Sequence, residues 1–182
     1  MAGFVLPTVT LRDSFLAAMA EFAAEGRGAP DDHSGLGDDL RTWAEPWSTP
    51  AGFAVFVQEL LDEQVRPRRP GWVTATMLWW VEGAEFLGRL QIRHSLTNFL
   101  REAGGHVGYD VRPSARRRGH ATAMLAAALP RAAVLGIPSA LITCDVDNIA
   151  SRRVIEGNGG VLEDEREGKL RFWVPTGTSA RP

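Results

Sequence analysis

Residues 112–122 combine several arginines with a glycine, between a predicted strand and a predicted helix. The strand, 105–111, carries apolar side chains at alternate positions, as a half-buried strand does. The helix, 121–135, is rich in alanine and leucine. If this helix begins near Gly119, its unpaired N–H groups and the positive end of its dipole point back at the loop. We therefore predict an anion site here, with a solvated surface loop as the alternative.

A diphosphate is the anion that this loop suits. Gly119 has no Cβ to obstruct a close approach of the backbone, and the arginines add charge-assisted contacts. The loop lacks the Gly-Lys-Ser/Thr ending of a P-loop and the glycine triplet of the dinucleotide fingerprint. These two common phosphate-binding motifs are therefore excluded.

A second segment, 141–160, has the spacing of a strand followed by a capped helix. Its first residues, 141–145, form a short and mostly apolar strand. Asn148 is a predicted N-cap, because its side chain can accept from the first free N–H groups of a helix. Val154 lies three residues beyond Ser151, on roughly the same helical face. The glycine pair at the end of the segment stops the helix.

Both segments resemble motifs of the GNAT acetyltransferases. The pattern Arg116-x-x-Gly119-x-Ala121 resembles their acyl-CoA signature, Gln/Arg-x-x-Gly-x-Gly/Ala. Residues 148–160 resemble their second element, Asn-x-x-Ser/Ala-x-x-Leu/Val-x-x-x-x-Gly. The resemblance covers 104–173 most securely. A subgroup of uncharacterised bacterial predicted acetyltransferases carries runs similar to those here at Gly88–His94, Gly104–Tyr109 and Thr143–Asn148.

The resemblance implies that acetyl-CoA is the co-substrate and lies in a gap between two splayed strands. Backbone groups at the end of the strand before the loop would pair with pantetheine, the loop amides would hold the diphosphate, and the second helix would form the opposite wall. The residues that the resemblance assigns to the coenzyme are Tyr109, Asp110, Val111, Arg116, Arg117, Arg118, Gly119, His120, Ala121, Asn148 and Ser151.

The implied reaction is direct transfer of acetyl from the thioester to an amine in a ternary complex, which makes the chain an N-acetyltransferase. The departing thiolate needs a donor, and the position where many GNAT enzymes have a tyrosine is Ile155. Tyr109 and Ser151 are the alternative donors, although a core aromatic and a helix serine are equally ordinary roles for them. The missing tyrosine also keeps open a non-catalytic acyl-CoA-binding sensor or regulatory domain.

The amine must lose a proton, so a base is expected, directly or through water. His94 is the favoured candidate, because its ordinary pKa is near 6.5. His106 is less favoured, because strand alternation puts it on the face opposite Tyr109. The carboxylates Glu82, Asp145 and Asp147 remain open as bases or as anchors for the amine.

Composition limits the other function classes. A chain of 182 residues with 45% hydrophobic content suffices for one domain with a core. The net charge of −2 argues against nucleic acid as a partner. The sequence contains no run of about eighteen apolar residues, so it predicts no membrane span. The N-terminus lacks the layout of a secretory signal, and a single cysteine, Cys144, predicts neither a disulfide nor a cysteine metal site. We expect a cytoplasmic protein without a metal.

The hydrophobic pattern predicts a mixed α+β fold, a mostly antiparallel central sheet of six to seven strands flanked by helices. The predicted strands are 4–11, 72–81, 85–92, 105–111, 140–145, 161–167 and 169–174. The predicted helices are 12–26, 51–66, 121–135 and one beginning at Asn148, while 27–50 is predicted to be an irregular loop and 95–103 a partly helical connection.

We expect one acetyltransferase domain over 1–182, with acceptor-side helices and loop in 1–70, a cofactor-binding core in 71–174 and a frayed tail in 175–182. The acceptor is a small-molecule or protein amine. Two features of the chain have open roles at this point. The tryptophans 43, 47, 79 and 80 suit a substrate wall, plain core or a homodimer surface, and the aspartates 31, 32, 38 and 39 suit an amine site or, preferably, a solvated loop.

Overall fold

A computed structural model describes residues 1–177 of the chain, in which strands and helices alternate. The strands are β1 Gly3–Val5, β2 Ala75–Glu82, β3 Glu85–Arg93, β4 Val107–Val111, β5 Ser139–Asp145, β6 Val161–Arg166 and β7 Lys169–Pro175. The helices are α1 Arg12–Ala24, α2 Gly35–Trp43, α3 Pro50–Asp62, α4 Asn98–Glu102, α5 His120–Val134 and α6 Ile149–Gly157.

The strands form two antiparallel sheets, a four-stranded one ordered β1-β2-β3-β4 and a three-stranded one ordered β5-β7-β6. They meet where the backbone N–H of His106 donates to the carbonyl of Leu141 at 2.7 Å. Gly105 allows this approach, because its φ is +60° and a Cβ there would lie 2.3 Å from the same carbonyl oxygen. Beyond the junction β4 and β5 are not paired, so a gap opens between the sheets. The predicted mixed fold is confirmed, with its seven strands divided into sheets of four and three.

Each face of the first sheet buries an apolar layer. One face packs against α1 and α3 through aromatic rings, including Phe15 stacked on Trp79 with centroids 5.0 Å apart. The other face packs against α5, which is buried through residues such as Met124 and Leu125. Within residues 1–177, no helix is long and apolar enough to cross a membrane.

The tryptophans belong to the core of this packing. Trp47, Trp79 and Trp80 are almost fully buried, and Trp43 packs against the aromatic layer of α1 and α3. Of the roles left open for these side chains, plain core is therefore the one that the structure fits.

Several predicted boundaries change in the structure. The strand predicted over 4–11 is limited to β1, and a 3-10 turn follows it. The last strand continues to Pro175. Of the predicted tail, residues 178–182 lie outside the described residues. The predicted loop 27–50 contains α2, which the glycine-rich sequence Gly-Leu-Gly conceals because glycine is a poor helix former. Ser34 caps this helix by accepting from the N–H of Gly37 at 3.0 Å.

Candidate functional site

The loop between β4 and α5 presents consecutive amides with no protein partner. In the described chain, the N–H groups of residues 117–122 donate to no protein acceptor, and the first bond of the helix runs from Ala123 to the carbonyl of Gly119. Gly119 caps the helix with a φ of 81°, in the left-handed region that favours glycine. A Cβ there would meet nothing within 4 Å, so the backbone is open to an incoming group. The amides lie at the positive end of a helix dipole, which suits an anion.

Two of the four arginines of this loop are occupied by α1. Arg112 donates from Nε to Glu21 at 2.7 Å, and Arg116 forms a bidentate pair with Glu25 at 2.7 and 2.9 Å. The same Glu21 carboxylate accepts from the backbone N–H of Ser114 at 2.9 Å. Burial acts to raise the pKa of Glu21, but these hydrogen bonds outweigh burial and lower it. Arg112 and Arg116 therefore hold the loop against α1 and do not reach for a ligand.

Arg117 and Arg118 differ from the other two. Within residues 1–177 neither forms an ion pair, and Arg117 has a φ of 60°. Their guanidinium groups are the cations of the predicted loop that remain available to an anion, as the sequence leads one to expect.

Strand β4 turns a row of backbone groups into the gap. Arg93 N donates to the carbonyl of His106, and Arg112 N donates to the carbonyl of Leu87. Because pairing alternates along an antiparallel strand, the even-numbered residues of β4 bond to β3, and 107, 109 and 111 direct their N–H and carbonyl groups towards the gap. The backbone groups of Asp110 are therefore paired with β3, and only its side chain is available to a ligand.

Tyr109 and Ser151 face each other across the gap. The phenol oxygen of Tyr109 lies 2.7 Å from Ser151 Oγ, so a single hydrogen bond links β4 to α6. Ser151 is placed by Asn148, whose side chain caps α6 by accepting from the N–H of Ser151 at 3.0 Å. Burial raises the pKa of Tyr109 to about 12, so the phenol keeps its proton at neutral pH.

A cavity of about 750 Å³ extends from this gap over the face of the first sheet that packs against α1 and α3. Its floor is polar, because Arg89, Gln91 and Arg93 alternate along β3 and share one face with Asp110 of β4. Residues 31–36 form one wall, and Phe99 of α4, which is 73% exposed, lies on another. The cavity is therefore large enough for a small molecule or a chain terminus.

Buried ion pairs connect this floor to the wall. Arg89 donates to Asp39 on α2 at 2.6 Å and to Asp110 at 3.2 Å. Arg27 donates to the second oxygen of Asp110 at 3.3 Å and to Asp32 at 3.0 Å. The preferred expectation of a solvated aspartate loop is wrong for Asp39, which is 2% exposed. Sequence reasoning missed this network, although charged residues at alternate positions of an otherwise buried strand were a usable signal.

The histidines do not meet at the site. His94 lies outside the cavity lining, and its Nε2 is 2.9 Å from Thr76 Oγ1. Burial lowers the pKa of His94. His106 Nδ1 accepts from the N–H of Leu141 at 2.9 Å, and burial lowers its pKa to about 4, which suits a neutral ring that ties the sheets together. His120 Nδ1 accepts from Trp80 Nε1 at 3.2 Å, so this residue offers its backbone amide to the loop.

The remaining candidates divide between cavity and surface. Asp145 lines the cavity and pairs with Lys169, while Glu82 and Asp147 lie elsewhere. Cys144 also lines the cavity, and burial raises the pKa of its thiol. Ile155 is fully buried and presents no donor. The described residues contain no cluster of side chains that could hold a metal ion.

Comparisons with known proteins agree with this arrangement. A family model described as the acetyltransferase (GNAT) domain matches residues 33–161, more than half of the chain. Among curated protein sequences, none matches significantly.

Several solved structures share the fold. Mycobacterium smegmatis RimJ in complex with CoA-disulfide has 19% identity and a TM-score of 0.63, over 96% of this chain and 81% of that one. Microcin C7 self-immunity acetyltransferase MccE in complex with acetyl-CoA and AMP has 13% identity and a TM-score of 0.61, over 96% and 92%. The Salmonella typhimurium acetyl transferase that modifies the N-terminal serine of ribosomal protein L7/L12 has 18% identity and a TM-score of 0.57, over 94% and 92%.

Proposed function

This chain belongs to the GNAT acetyltransferase family, and from that premise we propose that it transfers an acetyl group from acetyl-CoA to a primary amine of a small molecule or a protein. The observation that carries the proposal is the row of unpaired amides at 117–122, set at the end of the strand that borders the gap. The solved structures of like fold that hold CoA or acetyl-CoA add support.

The residues present fit the coenzyme. Its diphosphate would lie on the amides of 117–122, where Gly119 leaves open space and Arg117 and Arg118 supply charge. Its pantetheine arm would pair with the backbone of Tyr109 and Val111 along the free edge of β4. The far wall would be α6, through Asn148 and Ser151.

Acetyl-CoA, when bound, supplies the thioester carbon that the amine attacks. The cavity would hold both reactants together, which lowers an entropic barrier by several kcal/mol for well-oriented groups, on the order of 7 in favourable cases. Ser151 and Tyr109 form a hydrogen-bonded pair beside the gap, and we assign to this pair the proton given to the departing thiolate.

Proton removal from the amine needs a group on the acceptor side. We do not assign it to His94, because that ring lies outside the cavity and bonds Thr76. Asp145 lines the cavity, and its ion pair with Lys169 engages only Oδ1, so we assign its carboxylate the role of anchoring the ammonium and accepting its proton, directly or through water.

A coenzyme sensor is the second candidate, and the burial of Ile155 favours it. Ile155 stands at the position where many GNAT enzymes have a tyrosine donor, and its side chain is fully buried in the core. A domain of this kind would bind acyl-CoA through the same amides without releasing thiol.

The whole chain is proposed to act as one domain, in which 1–70 forms the acceptor side and 71–174 the cofactor-binding core. We expect this domain to work in the cytoplasm, as its single cysteine suggests.

The decisive experiment measures CoA affinity by calorimetry and thiol release from acetyl-CoA with a panel of amines that includes a peptide with a free N-terminus. We expect amine-dependent thiol release, and a Ser151→Ala variant in which kcat falls on the order of 10- to 100-fold while CoA affinity changes less. CoA binding without thiol release across the panel would support the sensor. Absence of CoA binding would refute both functions.

A further inference from the structure

Arg93 lines the cavity with a guanidinium group that is only partly hydrogen-bonded. Its Nη1 donates to the carbonyls of Gly104 and Gly105 at 2.8 and 3.0 Å, which fixes the group in place. Within residues 1–177, neither its Nε nor its Nη2 donates a hydrogen bond, and the side chain lines the cavity. The N–H groups of Nε and Nη2 are therefore available as donors to a ligand in the cavity.

The other basic side chains of the cavity form ion pairs, whereas Arg93 does not. Arg27 and Arg89 pair with aspartates, and Lys169 pairs with Asp145. Among the described residues, no carboxylate lies within ion-pair distance of Arg93. The carboxylate of Glu63 bonds Gln91 at 3.1 Å instead, and burial raises the pKa of Glu63 to about 7, so near neutral pH it carries only part of a charge.

A partly buried guanidinium without a contacting carboxylate is less stable than one that an anion pairs with directly. The planar fork of arginine binds a carboxylate through two parallel hydrogen bonds. The burial and the missing partner of Arg93 thus indicate an anionic group on the ligand.

This anion is not the coenzyme's diphosphate. Arg93 lies opposite His106, just before β4, whereas the free amides of 117–122 follow the other end of that strand. At about 3.3 Å per residue, β4 alone separates the two places by roughly 13 Å. Arg93 also lies on the acceptor face of the sheet, beside Arg89 and Gln91.

Space for the anion exists beside Gly108. A Cβ on that residue would lie 3.6 Å from Nη2 of Arg93, so the glycine leaves the guanidinium uncovered. Gly108 precedes Tyr109, which forms one side of the gap. An anion on Arg93 and an amine at the gap would therefore belong to one compact molecule.

We propose that Arg93 binds a carboxylate of the acceptor, which makes the acceptor an amine with a carboxylate only a few bonds away, such as a short amino acid. This substrate class rests on the proposed acetyl transfer. The contact with the carboxylate, however, is measurable without turnover.

The test titrates the protein, with and without CoA, with N-acetylglycine, N-acetyl-β-alanine and 4-acetamidobutyrate, each beside its primary amide. These probes are the products expected from short amino acids, and each pair differs only in charge. We expect at least one carboxylate to bind on the order of 10-fold more tightly than its amide, as a charge-assisted bond would give. If no carboxylate in the series binds more tightly than its amide, the proposal is wrong.

Variants locate the preference. In Arg93→Gln the preference should vanish, and in Arg93→Lys it should be reduced, because an ammonium lacks the planar fork. Since Arg93 also holds the turn before β4, Gly108→Ala provides a second variant that leaves Arg93 in place. Its Cβ would make an ordinary contact at 3.6 Å, so the chain should fold while the space beside Nη2 is reduced.

Gly3→Ala is the control, because a Cβ there meets nothing within 4 Å and the residue is far along the sheet. A folded Gly108→Ala and a folded Arg93→Lys that both retain the full preference would overturn the proposal. So would an Arg93→Gln variant that loses affinity for CoA and keeps its preference for the carboxylate.

The outcomes separate this proposal from acetyl transfer itself. CoA binding and amine-dependent thiol release with no preference for carboxylates would remove only the role of Arg93. A carboxylate preference that depends on Arg93, without any CoA binding, would support the anion site and refute the transferase.

Discussion

Gly119 and Gly136 form a matched pair that tests the proposed diphosphate site. Both have a φ of 81°, and a Cβ at either position would meet nothing within 4 Å. Gly119 begins α5 next to the free amides, whereas Gly136 lies just beyond the other end of the same helix. Replacement of either residue by leucine therefore imposes the same backbone strain, about 1–2 kcal/mol, because a left-handed conformation is unfavourable for a residue with a Cβ.

Only Gly119→Leu should affect the coenzyme. Its side chain would obstruct the close approach of an anion to the amides of 117–122, at the cost of one charge-assisted contact or more, about 1.5–3 kcal/mol each. This energy corresponds to a loss of CoA affinity on the order of 10- to 100-fold. Gly136→Leu should keep the affinity of the unmodified chain.

The assay combines calorimetry with CoA and denaturant unfolding of both variants. Unfolding should show a similar loss of stability in the two proteins, which controls for strain. Equal affinities of Gly119→Leu and Gly136→Leu for CoA would refute the assignment of the amides to the diphosphate. Backbone strain, which the two variants share, would then explain any loss of affinity without obstruction of the amides.

Two further predictions concern carboxylates away from the cavity. Glu21→Gln should raise the Kd for CoA several-fold, because Glu21 holds Ser114 and the start of the loop. Glu25→Gln should raise this Kd less, because the ion pair of Glu25 with the loop is more exposed to solvent. A larger effect of Glu25→Gln than of Glu21→Gln in calorimetry would contradict this order. The folded pKa of Glu63, about 7 against 4.5, means that the folded chain binds more protons between these values, so stability falls as pH rises. In urea unfolding between pH 4.5 and 7, the free energy of unfolding of Glu63→Gln should rise relative to that of the unmodified chain by up to about 3 kcal/mol. A difference in unfolding free energy that does not change with pH would refute the raised pKa.

Local patterns were sufficient to predict the loop with free amides and the helix that follows it. Alternating apolar residues before residue 112 and the alanine-rich run after Gly119 define β4 and α5, because backbone geometry and helix termini depend on near neighbours. Asn148 was recognised as a cap for the same reason, and its side chain does accept from Ser151. The free N–H groups of the loop could therefore be predicted from the sequence alone.

The same local reasoning failed at α2. Gly35 and Gly37 lower the intrinsic helix propensity, and the segment is nevertheless helical in the folded chain. Its Asp39 forms ion pairs with Arg68 and Arg89, which lie far along the chain. Contacts made across the tertiary structure override a weak propensity, and they cannot be seen in a window of neighbouring residues.

What the sequence by itself determined is the family, the mixed fold and the loop with open amides, since each depends on residues close together in the chain. Only the tertiary structure decided which side chains line the cavity. It placed His94 outside the cavity, occupied Arg112 and Arg116 with carboxylates of α1, and left Arg93 without an ion-pair partner in the described chain. The physical reason is that a charged group is neutralised by partners that the fold brings to it, and Arg89 meets Asp39 across 50 residues of sequence.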